Sequence, residues 1–230
     1  MRYHAQALAA QGVHVDLVGF EGTPLPRAVT GDPNISVHRL SASMLRHGVP
    51  ALGYAPVAMV DALRIGRRLW STLKKLPRPD LVLVQNPPAF PTLLVTRLAL
   101  RRAGVRFVID WHNLGYTLLQ LRLGQWHPAV RLARWFERRD GRQADANLCV
   151  SRGLAEFLKD RFALQNTHVL YDRPAAFFAP VERVERERYR QALFARLGAR
   201  SNVVGFIVCP TSWTEDEDFD LVIEAVLRLE

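Results

Sequence analysis

Asp110, Trp111, His112 and Asn113 follow one another where a short apolar run, Val105 to Ile109, stops abruptly. Histidine is the side chain whose ordinary pKa, about 6.5, lies nearest neutrality, so an imidazole here can take up or release a proton. A positioned base of this kind contributes roughly 10²–10⁴-fold to a rate. Two roles stand open for His112: the base itself, or a ring nitrogen that holds a substrate. Asp110 is either a turn residue that orients His112 or a base in its own right. A second apolar run, Leu81 to Gln85, ends comparably in Asn86-Pro87-Pro88. Ligands of open α/β sheets bind just beyond the carboxyl ends of the strands, so these two ends are expected to face one crevice.

Strands of that kind need helices between them. Val105–Ile109 is β-branched and apolar throughout, the pattern of a strand buried on both faces. Further strands are predicted at Val13–Gly19, Ile35–His38, Ala146–Val150 and Thr167–Tyr171. Helices are predicted over 2–11 with Gly12 as terminator, from about Tyr54 to Leu76, over Pro91–Ala103 with Gly104 as C-cap, after Pro128, and over Arg152–Arg161 with Ser151 as N-cap. Residues 115–128 read as a loop carrying Tyr116, Arg122 and Trp126. The alternation predicts a doubly wound parallel sheet. The chain opens on a helix, whereas such a domain normally opens with a strand at the centre of the sheet. The expectation is a reading frame truncated at both ends.

The 230 residues are 49% hydrophobic and 23% charged, ordinary for a globular protein, with a net charge of +9 and a pI near 10.3. A basic balance fits an anionic partner or an Arg-rich solvated surface. In the helix after Pro128, Ala129, Leu132, Ala133 and Phe136 are expected to face the core, with Arg131, Arg134, Arg138 and Arg142 opposite. That stripe is either solvated or set against lipid phosphates. The arginines do not alternate with stacking aromatics as in single-strand binders, which argues against nucleic acid. Cys149 and Cys209 predict buried reduced thiols, with no disulfide framework and no zinc site. No apolar run reaches the roughly 18 residues needed to cross a bilayer.

After Tyr171-Asp172-Arg173-Pro174 the character changes. The expected division is an N-terminal Rossmann-like domain over 1–178, a crossover over 179–200, and the start of a second Rossmann-like domain over 201–230. That second part opens on a strand at Val203–Val208 and a turn at Thr211–Asp218. Hydroxyls and N–H groups of that turn could meet a phosphate at a helix N-terminus, although Glu215, Asp216, Glu217 and Asp218 would repel one.

The order of these elements resembles glycosyltransferases of the GT-B fold. QNPPAFP at Gln85–Pro91, IDWHNLGY at Ile109–Tyr116, WFERRDGRQADANLCVS at Trp135–Ser151, YDRPAAFF at Tyr171–Phe178 and TSWTEDEDF at Thr211–Phe219 resemble the chitobiosyldiphosphodolichol β-mannosyltransferase family. The resemblance implies α/β architecture and transfer of mannose from GDP-mannose to GlcNAc of a lipid-linked diphosphate disaccharide, inverting to a β-1,4 bond. It implies no metal and no cofactor beyond the donor substrate. Implied partners are the nucleotide sugar, the lipid-linked oligosaccharide diphosphate, a membrane surface and other glycosyltransferases of the pathway. The implied place is the cytosolic face of a membrane: endoplasmic reticulum in a eukaryote, cytoplasm or inner membrane in a bacterium. Catalytic roles fall to His112 and Asp110; in relatives a histidine at this strand end also touches the donor sugar. Substrate contacts fall to Asn86, Trp111, Asn113, Tyr116, Arg173, Ser212, Thr214 and Glu215. Trp111 and Tyr116 are stacking surfaces or core, and Arg173 supplements the diphosphate site or pairs with Asp172. Alternatives within this reading are a GT-B transferase of other specificity, or a non-catalytic binding subunit.

Overall fold

The computed structural model describes residues 1–22, 24–41, 51–101, 104–174, 178–198, 207–209 and 218–228, with the backbone alone at 51–56 and 58. Contacts divide the chain into Met1–Asp172 and Arg173–Glu230. The first unit runs α1 (Arg2–Ala9), β1 (Val15–Phe20), α2 (Arg27–Thr30), β2 (Ile35–Leu40), α3 (Ala51–Lys75), β3 (Leu81–Asn86), α4 (Thr92–Ala99), β4 (Arg106–Trp111), α5 (Gly115–Leu123), α6 (Pro128–Arg142), β5 (Ala146–Cys149), α7 (Arg152–Phe162) and β6 (Thr167–Val169).

Every strand pairing is parallel, as the alternation predicts for a Rossmann-like domain. The sheet is nevertheless in two pieces. β1 pairs with β2, and β3, β4, β5 and β6 follow in order in a separate sheet. β1 and β3 flank a cavity of about 730 Å³ lined by Val15, Leu17, Leu81 and Leu83, among others. The core divides in the same way. Ile109, Trp111, Leu93, Leu158 and Phe162 anchor one cluster, and Ala5, Ala9, Val29 and Ile35 form the other.

β4 explains its own burial: Phe107 to Trp111 are all buried, as a strand flanked by strands and covered on both faces requires. Its register with β3 pairs Gln85 with Asp110 and Asn86 with Trp111, so the two strands end level. Ser151 caps α7 by accepting from the Leu154 N–H at 3.2 Å, as expected.

Three expectations need correction. Residues 115–123 are a helix, not a loop, because its first N–H groups are satisfied by a carboxylate from far along the chain, Glu137. The helix expected over Pro91–Ala103 ends at Ala99. The buried face of α6 comprises Val130, Glu137, Asp140 and Gly141, while Leu132 is half exposed. The buried acids lie on the side that packs against α4 and α5, which a pattern of apolar residues alone misses.

The second unit contains α8 (Arg183–Leu197) and α9 (Phe219–Leu227), neither of which has a buried residue. The strand expected at Val203–Val208 falls largely outside the described residues.

Candidate active site

Asp110 is the last residue but one of β4, and its side chain is almost wholly buried. One of its oxygens, Oδ2, receives two imidazoles: His112 Nε2 at 2.9 Å and His4 Nε2 at 3.1 Å. Where Asp110 is ionised it only accepts, so each ring then donates to it through Nε2. A neutral His112 in that arrangement keeps a lone pair on Nδ1, the geometry of a base oriented by an acid. The Asp172 carboxylate, 74% exposed, has Oδ2 3.6 Å from that Nδ1, placed to stabilise a proton arriving there. Asp110 thus touches both rings through a single oxygen, a contact through which it can orient His112. His4 comes from the first turn of α1, 106 residues away, which is why no local pattern in the sequence points to it.

The backbone around His112 is fixed from beneath. The His112 N–H donates to the Asn86 carbonyl at 3.0 Å, extending the β3–β4 ladder past the end of the strand. Asn86 is fully buried and donates through Nδ2 to the Asn113 carbonyl at 3.1 Å and to Glu137 Oε1 at 3.0 Å. Glu137 Oε1 also accepts from the Gly115 N–H at 2.6 Å, and Oε2 from the Tyr116 N–H at 3.4 Å. A carboxylate here meets the positive end of α5. Burial pushes the Glu137 carboxyl above its ordinary value, and the bonds from Asn86, Gly115 and Tyr116 partly restore it. A Cβ on Gly115 would lie 3.1 Å from Glu137 Oε1, so this turn is built close against the acid. Asn113 closes the turn by accepting from the Leu114 N–H at 2.8 Å.

Of the two readings left open for Trp111 and Tyr116, both rings take the core one. Trp111 has no exposed surface. Its indole N–H donates to Asn147 Oδ1 at 2.8 Å, and its ring meets Phe162 edge-on, so no face is available to a sugar. Tyr116 is buried, with its ring against Phe162 and the Arg134 guanidinium 5.5 Å from its centroid. Asn86 is enclosed and acts through Asn113 and Glu137. Arg173 opens the second unit. Ser212, Thr214 and Glu215 lie outside the described residues. Glu137 and Asn147 were not singled out from sequence. The available signal for Glu137 was its position, seven residues from Val130 and four from Gly141, on the face that proves to be buried. Of the two thiols, Cys149 is buried, while Cys209 is partly exposed.

His4, Asp110 and His112 have ligand atoms within 4.8 Å of one another, so this is also the group that could hold a metal among the described residues. A cation there would have to displace both ring protons from Asp110. The arrangement can also pass a proton between the imidazoles and the carboxylate.

The sequence itself resembles known proteins. Residues 1–173 match the family model described as a glycosyl transferase 4-like domain. The chain is 32% identical to the Arabidopsis thaliana protein named UDP-glycosyltransferase TURAN, over 99% of this chain and 56% of that protein. It is 32% identical to the chitobiosyldiphosphodolichol beta-mannosyltransferase of Yarrowia lipolytica, over 98% of this chain and 49% of the relative. With the Homo sapiens protein of the same name it shares 31% identity, over 100% of this chain and 55% of the relative. The chain thus spans about half the length of the curated relatives it matches. A parallel α/β domain with an acid–imidazole pair at its central strand end, matched over residues 1–173, belongs to the glycosyl transferase 4-like domain family of GT-B glycosyltransferases.

Proposed function

We propose that this chain carries the acceptor side of a mannosyltransferase that uses GDP-mannose and extends the GlcNAc of a lipid-linked diphosphate disaccharide. The observation that carries this reading is His112, held through Nε2 against buried Asp110 with Nδ1 facing the exposed Asp172 carboxylate at 3.6 Å. In the proposed step the acceptor hydroxyl gives its proton to Nδ1 as its oxygen bonds to C1 of mannose. The bond from C1 to the phosphate oxygen breaks, and the nucleoside diphosphate leaves with the electron pair. Attack opposite the leaving group inverts C1 and gives the β-1,4 bond. The step needs no metal in this reading. Neutralisation of the departing diphosphate falls to helix N-termini and basic side chains, with Arg173 and the Thr211–Thr214 turn as candidates. The reading places the protein at the cytosolic face of a membrane, beside other enzymes of the same pathway.

The names of the relatives support the lipid-linked acceptor and mannose, and the name of the Arabidopsis protein supports a uridine nucleotide as the rival donor. The test offers GDP-mannose and UDP-sugars in turn with a phytanyl-diphosphate-chitobiose acceptor, with and without EDTA. It uses this chain and any longer reading frame that contains it. Mannose transfer from GDP-mannose, insensitive to EDTA and lost in His112→Ala, is expected. Transfer from UDP-sugars alone would replace the donor. No transfer by folded protein with either donor would leave a binding role instead.

A further inference from the structure

We propose that the α5–α6 hairpin is a docking surface for an anionic lipid bilayer. Between Gly115 and Arg142 the acids are Glu137 and Asp140, and both are buried. The exposed charges on this hairpin are therefore all positive. Interleaved with them are large apolar side chains left in water: Trp126 is 83% exposed, Trp135 52%, Leu132 50% and Leu121 49%.

The placement follows from helix geometry. With about 100° per residue, the buried side of α6 at Val130, Glu137 and Gly141 puts Trp135 near the middle of the opposite face. Arg131, Leu132, Arg138 and Arg139 surround it there, and the Arg139 guanidinium lies 5.2 Å from the Trp135 ring centroid. Indole rings with arginines around them suit the boundary between headgroups and acyl chains.

The hairpin also points the right way. Glu137 lies level with the end of β3, and the helix runs on to Arg142, three residues before Asp145, whose N–H donates to the Phe107 carbonyl near the start of β4. The other direction leads away from the strand ends: Pro128 lies roughly 13 Å along the axis from Glu137 at 1.5 Å per residue. Trp126 and the first turns of α6 therefore stand beyond the edge of the sheet where His112 lies. A bilayer seated on them would hold a lipid-anchored acceptor next to that edge. The surface itself does not depend on the proposed reaction.

The test is sedimentation of the chain with phosphatidylcholine vesicles, with and without phosphatidylserine, together with tryptophan emission. Binding to the anionic vesicles alone, weakened by salt and accompanied by a blue shift, is expected. Arg131→Ala with Arg138→Ala should weaken binding roughly fivefold per arginine, on the order of 25-fold for the pair. Trp126→Ser with Trp135→Ser should remove most of the blue shift while the circular dichroism stays that of the parent. Equal binding to neutral vesicles, or no vesicle binding by the folded parent, overturns the proposal. So does retention by these variants with loss in Leu63→Ser, which would move the surface to the exposed apolar row of α3. Binding to single-stranded RNA with none to vesicles overturns it too. Transfer activity is not needed for any of these readouts, so failure here and failure of the proposed reaction are separate results.

Discussion

At the scale of single residues, one carboxylate oxygen organises the candidate site. Asp110 Oδ2 holds His112 and His4 together, and only His112 has its second nitrogen directed at Asp172. His112→Ala should lower kcat by roughly 10²–10⁴-fold with KM little changed, measured by mannose transfer. Asp110→Asn should also lower kcat, because an amide nitrogen turned towards His112 would favour the wrong tautomer. His4→Ala should cost much less, since His4 reaches the reaction through Asp110. An equal loss in His4→Ala and His112→Ala would contradict this division of roles. A second expectation concerns the thiols. Burial, with Asp110 nearby, pushes the Cys149 thiol up to about 11. Alkylation at mildly basic pH should therefore label Cys209 and spare Cys149 until the protein unfolds, as peptide mass mapping would read. The strand-end residues were legible in sequence because an apolar run followed by Asp, His and Asn is a local pattern. His4 was not, because its partner is 106 residues distant.

Among the elements, α6 does more than cover the sheet. Glu137 ties α6 to the start of α5 and to the end of β3, and Asp140 ties it to α4 through Arg97 Nε at 3.2 Å. Glu137→Ala would leave the Gly115 and Tyr116 N–H groups without this acceptor and the Asn86 amide with only the Asn113 carbonyl. A loss of about 2–4 kcal/mol in denaturant unfolding is expected. The carboxyl is raised above its ordinary value of 4.5 in the fold. Its contribution is therefore fully present below about 4.5 and declines as pH rises through the higher folded value, because the unfolded chain releases the proton first. Glu137→Gln, which cannot ionise, should show a shallower fall in stability over that range; an identical slope would contradict the assignment. Gly141 is a second tight point: an added Cβ would come 2.9 Å from Trp111 Cζ2 and 3.0 Å from a Leu164 methyl. Gly141→Ala should cost about 1–3 kcal/mol through overpacking, readable as a lower melting temperature. Strand and helix order was legible because apolar periodicity is local. The inner face of α6 was not, because two acids occupy it, and acids go inside only when distant partners satisfy them. α5 was missed for a related reason, since its cap comes from Glu137.

For the molecule as a whole, the division of the sheet is the feature with the widest effect. The parallel architecture was legible from the strand–helix alternation. The depth of the division was not, because it rests on which strands find partners. Two clusters of buried residues on either side of the cavity should not melt as one. Hydrogen exchange is expected to protect amides of β4 and β5, strands paired on both sides, longer than those of β1 and β3 that turn towards the cavity. Uniform protection across all four strands would contradict that. The same two edges have a consequence for handling the protein. Each presents a row of backbone donors and acceptors flanked by apolar side chains, and such a row serves as a template for any extended polypeptide that meets it. Association should therefore grow with concentration and with warming, and it should begin at Val15–Phe20 and Leu81–Asn86 rather than at the basic exterior.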